Sequence, residues 1–207
     1  LSGRPLKSHA ALHEWSVHSP VQFWRLVWEF CEVLGEQGVR GLIRSGGMQD
    51  SRWFPDASLN FAENLLRDSD NPQALVFWGE DKIRQSLSRQ ELRSEVARFA
   101  AALSAAGVEQ GDRVAAYMPN VPATLIAMLA ASSIGAVFTS ASPDFGVQGV
   151  VDRFGQTEPK VLLSCDGYWY NGRAIDITGK LAELMPRLPS VRQTVVVPYL
   201  AAGAEPD

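Results

Sequence analysis

Two stretches of this chain gather side chains that could hold an anionic or aromatic ligand. The first, "FTSASPDFG" at residues 138–146, joins a candidate strand to a helix expected to start near Val147. Its hydroxyls at Thr139, Ser140 and Ser142, with the free N–H groups of a helix start, suit a phosphate or another polar group. The same letters also make an ordinary cap-and-turn cluster, with Pro143 and Asp144 setting up the helix. The second, "SCDGYWYNGRAI" at residues 164–175, reads as one loop carrying Tyr168, Trp169, Tyr170, Asn171 and Arg173. Aromatic faces beside a guanidinium suit a purine bearing a phosphate, through stacking and charge-assisted hydrogen bonds. A surface loop whose aromatics pack on neighbouring helices accounts for them too. Neither stretch names its ligand.

Other chemistries find little support. His9, His13 and His18 all lie near the start, which leaves no histidine in the later chain for a Ser-His-Asp or Cys-His arrangement. His9 and His13 have helical metal spacing without further ligands nearby, and no metal site is expected. "DFG" at 144–146 stands without the other loops of a kinase, and neither GxGxxG nor GxxxxGK[ST] occurs. Cys165 reads as a small buried hydrophobe.

The elements around these stretches follow from periodicity. To about Arg67 the chain is helical with irregular connections. Ser19 and Pro20 open a helix whose stripe is Phe23, Val27, Phe30 and Leu34, ended by Gly35. "GLIRSGGMQDSRWFPDASLN" is expected to be loop, and "NFAENLLR" a short helix capped by Asn60. From about Pro72 strands and helices alternate. "ALVFWG" and "KIRQSL" form a hairpin, and Ser88 with Glu91 makes a capping box for a helix buried along Leu92, Val96, Phe99 and Leu103. "DRVAAYM", "AVFTSA", "KVLLSC" and "QTVVVPY" are buried strands separated by helices. The fold class is α/β, a mainly parallel doubly wound sheet with flanking helices behind a helical N-terminal appendage. The boundary falls at 1–70 and 71–207.

Composition narrows the classes. The chain has 207 residues, 46% apolar and 20% charged, which excludes a disordered tail, a collagen-like fibre and a coiled-coil rod. A net charge of −4 makes nucleic acid an unexpected partner. The uncharged run between Arg113 and Asp144 is broken by Pro119, Asn120 and Pro122, and a buried helix between strands explains it better than a membrane span. Cys31 and Cys165 are expected to be reduced thiols of a cytoplasmic protein. A start at Leu1 without a targeting segment, and an end in "AAGAEPD", read as a piece of something longer.

With the elements placed, the sequence resembles the adenylate-forming acyl-CoA ligases, and within them the acetoacetyl-CoA synthetase branch. The resemblance rests on "WSVHSPVQFWRLVWEFCE", "WFPDASLNFAENLLR", "GVEQGDRVAAYMPN", "ASSIGAVFTSASPDFG", "GVVDRFGQTEPKVLLS", and "YNGR" followed by "VVVPY". It covers nearly the whole chain, and "SPDFG" with "DRF" and "YNG" is its most diagnostic part. The resemblance implies a cytoplasmic ligase in which ATP and acetoacetate give an acyl-adenylate and pyrophosphate, after which CoA displaces AMP. ATP, Mg²⁺ and coenzyme A are the implied cofactors, and small molecules the implied partners. The family's phosphate loop, ribose-binding aspartate and C-terminal lysine follow this region, so no catalytic residue is expected here and the fragment alone is expected to be inactive.

By the same resemblance, Tyr170, Asn171, Gly172 and Arg173 match a stretch that holds the CoA nucleotide. Tyr170 stands where acetyl-CoA synthetases carry a second arginine, which leaves stacking or a phenol hydrogen bond at that position. Phe138 and Thr139 match a CoA-proximal strand end, and Lys180 adds positive charge nearby. Alternatives are a sister ligase for acetate or propionate, and a noncatalytic nucleotide-binding α/β module. An incomplete domain is expected to expose an apolar sheet edge and to self-associate.

Overall fold

The computed structural model describes residues 7–68, 72–80 and 82–203. It divides into two compact units, one up to Asn60 and one from Phe61 onward. The short helix of "NFAENLLR" therefore groups with the sheet, ten residues before the boundary expected from the letters.

The first unit holds helices α1 (His9–His18) and α2 (Pro20–Phe30) and a minimal ladder of β1 (Leu42–Ile43) and β2 (Arg52–Trp53). The ladder and a 3₁₀ turn at Met48–Asp50 lie where only loop is expected. The helix α2 stops at Phe30 rather than at Gly35. Glu32 takes φ +50°, its N–H bonds to the Glu29 carbonyl, and the Val33 N–H bonds back to the Trp28 carbonyl at 3.0 Å. That is a Schellman stop with glutamate in the position usually held by glycine. It leaves Phe30 84% exposed, outside the expected buried stripe. Aromatic edges interlock instead, Trp15 on Phe23 at 5.8 Å and Trp28 on Phe54 at 5.7 Å. Arg40 forks onto Asp56, whose carboxyl its hydrogen bonds hold down at about 2.

The second unit opens with α3 (Phe61–Leu66) and an antiparallel hairpin, β3 (Gln73–Gly79) with β4 (Ile83–Ser88). The expected capping box starts α4 (Arg89–Ala105): the Ser88 N–H reaches the Glu91 carboxylate at 2.7 Å and the Glu91 N–H the Ser88 hydroxyl at 3.2 Å. Then follow β5 (Arg113–Tyr117), α5 (Pro122–Ser133), β6 (Val137–Ala141), α6 (Val147–Thr157) and β7 (Val161–Cys165). Strands β8 (Gly167–Tyr170) and β9 (Arg173–Asp176) precede α7 (Thr178–Leu184), β10 (Gln193–Val197) and the short α8 (Tyr199–Gly203).

The main sheet runs β10-β7-β5-β6, every pair parallel, and the fold class is the one its sequence indicates. From β5 the chain winds to β6, then returns past β5 to β7 and on to β10. One face carries α4 and α5, burying Leu92, Val96 and Leu103 with Leu129 and Ala130. Helices α6 and α7 meet each other and bury Val150, Phe154, Ile177 and Leu184 in a second cluster. The central strand β5 is covered on both faces, which is why its "VAAY" is apolar without alternation. The buried polar residue beside it, Ser164 of β7, donates to the Tyr117 carbonyl at 3.3 Å.

At the amino end of the sheet an ionic latch ties the strands together. Lys160 Nζ meets the Asp112 carboxylate at 2.6 Å and the Gly107 carbonyl, and this cation holds the Asp112 carboxyl below its usual range. Arg113 donates to the Thr157 and Glu158 carbonyls at the end of α6, where a cation complements the helix dipole. Among the described residues no helix is long and apolar enough to cross a membrane.

Candidate functional site: the carboxyl ends of the parallel strands

The opposite end of the sheet has the geometry of a ligand crevice. The chain leaves β5 toward α5, while its neighbours β6 and β7 feed α6 and α7, packed together elsewhere. Where adjacent strands send their connections apart, a crevice opens beyond their carboxyl ends. Two clefts lie there and share Pro119, Asn120 and Tyr168. One, of about 450 Å³, is bounded by Ser142, Pro143, Asp144 and Tyr170. The other, of about 210 Å³, is bounded by Phe77, Trp78, Glu80, Trp169 and Tyr199. A third groove of about 410 Å³, between α4, α5 and the sheet, is lined by Phe99, Ile126, Leu163 and Val195. Its wall is almost wholly apolar, with Glu95 and Arg98 its only charged lining residues. It lacks the few convergent polar groups that orient a ligand.

The connection after β6 is fixed rather than loose. Tyr117, fully buried, donates its hydroxyl to the Phe145 carbonyl at 2.7 Å, sharing the proton with the Pro143 carbonyl at 2.9 Å. Burial, with Tyr168 and Asp144 nearby, pushes that phenol up to about 12, so it remains a donor at every working pH. Lys180 Nζ donates to the same Pro143 carbonyl at 3.1 Å. Its ammonium thus already serves the loop. Ser142 and Asp144 stand at the cleft, which both of them line. Phe138 and Thr139 lie further back within β6, opposite Val114 and Ala115, and Phe138 packs on both core clusters.

Residues 164–175 are not a loop. β7 runs through Cys165, and β8 and β9 form a two-residue hairpin with Tyr170 opposite Arg173. Asn171 at φ +51° and Gly172 at φ +73° make the turn, the left-handed pair that matches strand twist. "NG" between strand-like residues was the available signal. The pairing stands the Tyr170 phenol and the Arg173 guanidinium side by side on one face. Tyr170 is 67% exposed, and among the described residues nothing pairs with Arg173. Asp166 joins this region to the sheet end: its carboxylate accepts the Leu200 and Ala201 N–H groups at 2.8 and 3.1 Å. Sequence reasoning also missed the roles of Tyr117 and Glu80, because their partners are carbonyls and amides distant in sequence and brought close by the fold. Glu80 accepts the N–H groups of Asn171 and Gly172 at 2.7 and 2.8 Å.

A doubly wound α/β unit with an aromatic-rimmed crevice at its strand ends defines the class of open parallel-sheet domains that take ligands at that end. Residues 61–206 match the family model described as AMP-binding enzyme, and the chain belongs to that family. It is similar to the acetoacetyl-coenzyme A synthetase of Rhizobium meliloti (strain 1021), 50% identical over 202 residues that cover 98% of this chain and 31% of that protein. The acetoacetyl-CoA synthetase of Macaca fascicularis is 40% identical over 99% of this chain and 31% of its own length. Among solved structures, acetoacetyl-CoA synthetase from Streptomyces lividans superposes with a TM-score of 0.89 at 40% identity, over 99% of this chain and 32% of that one. The chain thus spans about a third of the length of the relatives it matches.

Proposed function

We propose that this chain is the N-terminal part of an acid–thiol ligase that forms acetoacetyl-CoA from acetoacetate, ATP and CoA through an acyl-adenylate, releasing pyrophosphate and AMP. The observation that carries the reading is the 50% identity along 98% of the chain to an acetoacetyl-CoA synthetase. Its share of the site is CoA binding. Tyr170 offers a π-face or phenol to the nucleotide and Arg173 a charge-assisted donor to its phosphate, on a tip set by Asn171 and Gly172. Phe138 and Thr139 act only as part of β6, the strand that leads into the Ser142–Asp144 connection, and Lys180 acts by holding the Pro143 carbonyl. Mg²⁺ accompanies the ATP phosphates in this proposal. Among the described residues no group of His, Cys, Asp or Glu is placed to hold a metal, and none is assigned to it. The partners are small molecules, and the compartment is the cytoplasm.

AMP formation by the complete polypeptide with ATP, Mg²⁺ and CoA tests this. Strong preference for acetoacetate over acetate is the expected result. Preference for acetate would keep the ligase and discard the acid, and no AMP from any short acid would leave only a nucleotide-binding module. Arg173→Ala should raise the KM for CoA about tenfold or more while acetoacetate-dependent ATP–pyrophosphate exchange continues. An unchanged KM removes Arg173 from the site.

A further inference from the structure

The hairpin offered to CoA is only four residues per strand, and a two-stranded ribbon of that size is marginal alone in water. Yet Tyr170 and Arg173 can work together only if the tip is held still. The tip has a tether from 91 residues away. Glu80, in the β3–β4 turn, sends Oε1 to the Asn171 N–H at 2.7 Å and Oε2 to the Gly172 N–H at 2.8 Å. The left-handed turn points two consecutive N–H groups the same way, a concavity made for an anion. Here the anion is part of the protein. A second grip lies beside it, with Lys82 Nζ 5.6 Å from the centre of the Trp169 ring. Both contacts join the same two hairpins, and Trp169 alternates with Tyr170 along β8, so its ring lies on the face opposite to the Tyr170–Arg173 pair.

We infer that Glu80 is a positioning residue for CoA use: its carboxylate clasps the Asn171–Gly172 turn and fixes the Tyr170–Arg173 face for the CoA nucleotide. The inference rests on the proposed role of that hairpin. Glu80 touches no substrate in this scheme. It neutralises two backbone donors that would otherwise attract water or a stray anion.

The test uses the complete polypeptide with Glu80→Ala, Glu80→Gln and Arg173→Ala. Glu80→Ala should raise the KM for CoA about tenfold, the scale of one lost charge-assisted pair, with ATP–pyrophosphate exchange unchanged. Glu80→Gln, which keeps one acceptor oxygen and the side-chain volume, should fall between it and the unaltered protein. Amide exchange at Asn171 and Gly172 should quicken in the same order. If Arg173→Ala raises the KM for CoA and Glu80→Ala does not, the positioning role is overturned and the hairpin's CoA role stands. If Arg173→Ala leaves the KM unchanged, the CoA reading falls, whatever the Glu80 amides do. Equal loss of exchange activity in both Glu80 variants would show a general folding defect and also overturn the inference.

Discussion

At the scale of single residues, burial decides what each group can do. Tyr117 shows this best, since its hydroxyl serves two carbonyls of the β6–α6 connection. Tyr117→Phe should cost about 1–2 kcal/mol in chemical denaturation of the complete polypeptide, because buried acceptors lose their donor. The two cysteines make a matched pair. Cys31 is exposed, while Cys165 is buried and its thiol is pushed up to about 11 by burial. One thiol should react rapidly with an alkylating reagent in native protein, and the second only after denaturation. Asp112 gives a pH signature. Its carboxyl is held down by Lys160, so its contribution is complete above the ordinary aspartate value of about 3.9 and fades as pH falls through its lower folded value. Asp112→Asn should lower stability at neutral pH and flatten its decline below about pH 4. A denaturation series from about pH 2 to 7 measures both.

Among the elements, the β8–β9 hairpin carries the most consequence for its size. A methyl group added at Gly172 would meet open space, but the φ of +73° means that Gly172→Ala strains the backbone alone, at about 1 kcal/mol. Amide exchange across Tyr168–Arg173 should quicken while the rest of the sheet keeps its protection. Gly167 is the opposite case: a Cβ there would stand 2.3 Å from the Ile175 carbonyl oxygen, so Gly167→Ala must push the two strands apart. The sheet elements were legible because each announces itself over five or more residues. Leu92, Val96 and Leu103 lie on one buried stripe, and Ser88 with Glu91 marks the start of their helix. The hairpin was hidden because its aromatics resemble a binding loop, and the turn signal Asn171–Gly172 was absorbed into that resemblance. The stop of α2 was hidden for a different reason. A glutamate in the left-handed region gives no local warning, whereas Gly107 at φ +77° announced the end of α4. The site was legible as a place, at two strand ends, but not as an arrangement. The contacts that arrange it span 26 residues for Tyr117 to Pro143 and 91 for Glu80 to Asn171.

Across the whole sheet unit, the two ends have separate tasks. The latch of Asp112, Arg113 and Lys160 closes the amino end, and the crevice occupies the carboxyl end. Substitutions in the latch should therefore move denaturation midpoints without moving the KM for CoA. The flank of the sheet holds the apolar groove that ends at Val195 and Val197 of the edge strand β10. The 207-residue chain on its own should self-associate through it, with a sedimentation-derived mass that rises with concentration. A mass fixed at one chain across the series would remove that expectation. The strand order carries one more consequence, in the order of synthesis. Of the four parallel strands, β5 leaves the ribosome first and acquires β6 on one side after a single helix, while its other side must wait for β7. Until Val161–Cys165 emerges, this central apolar strand has an unpaired edge, and that interval is when a nascent chain needs shelter from its neighbours.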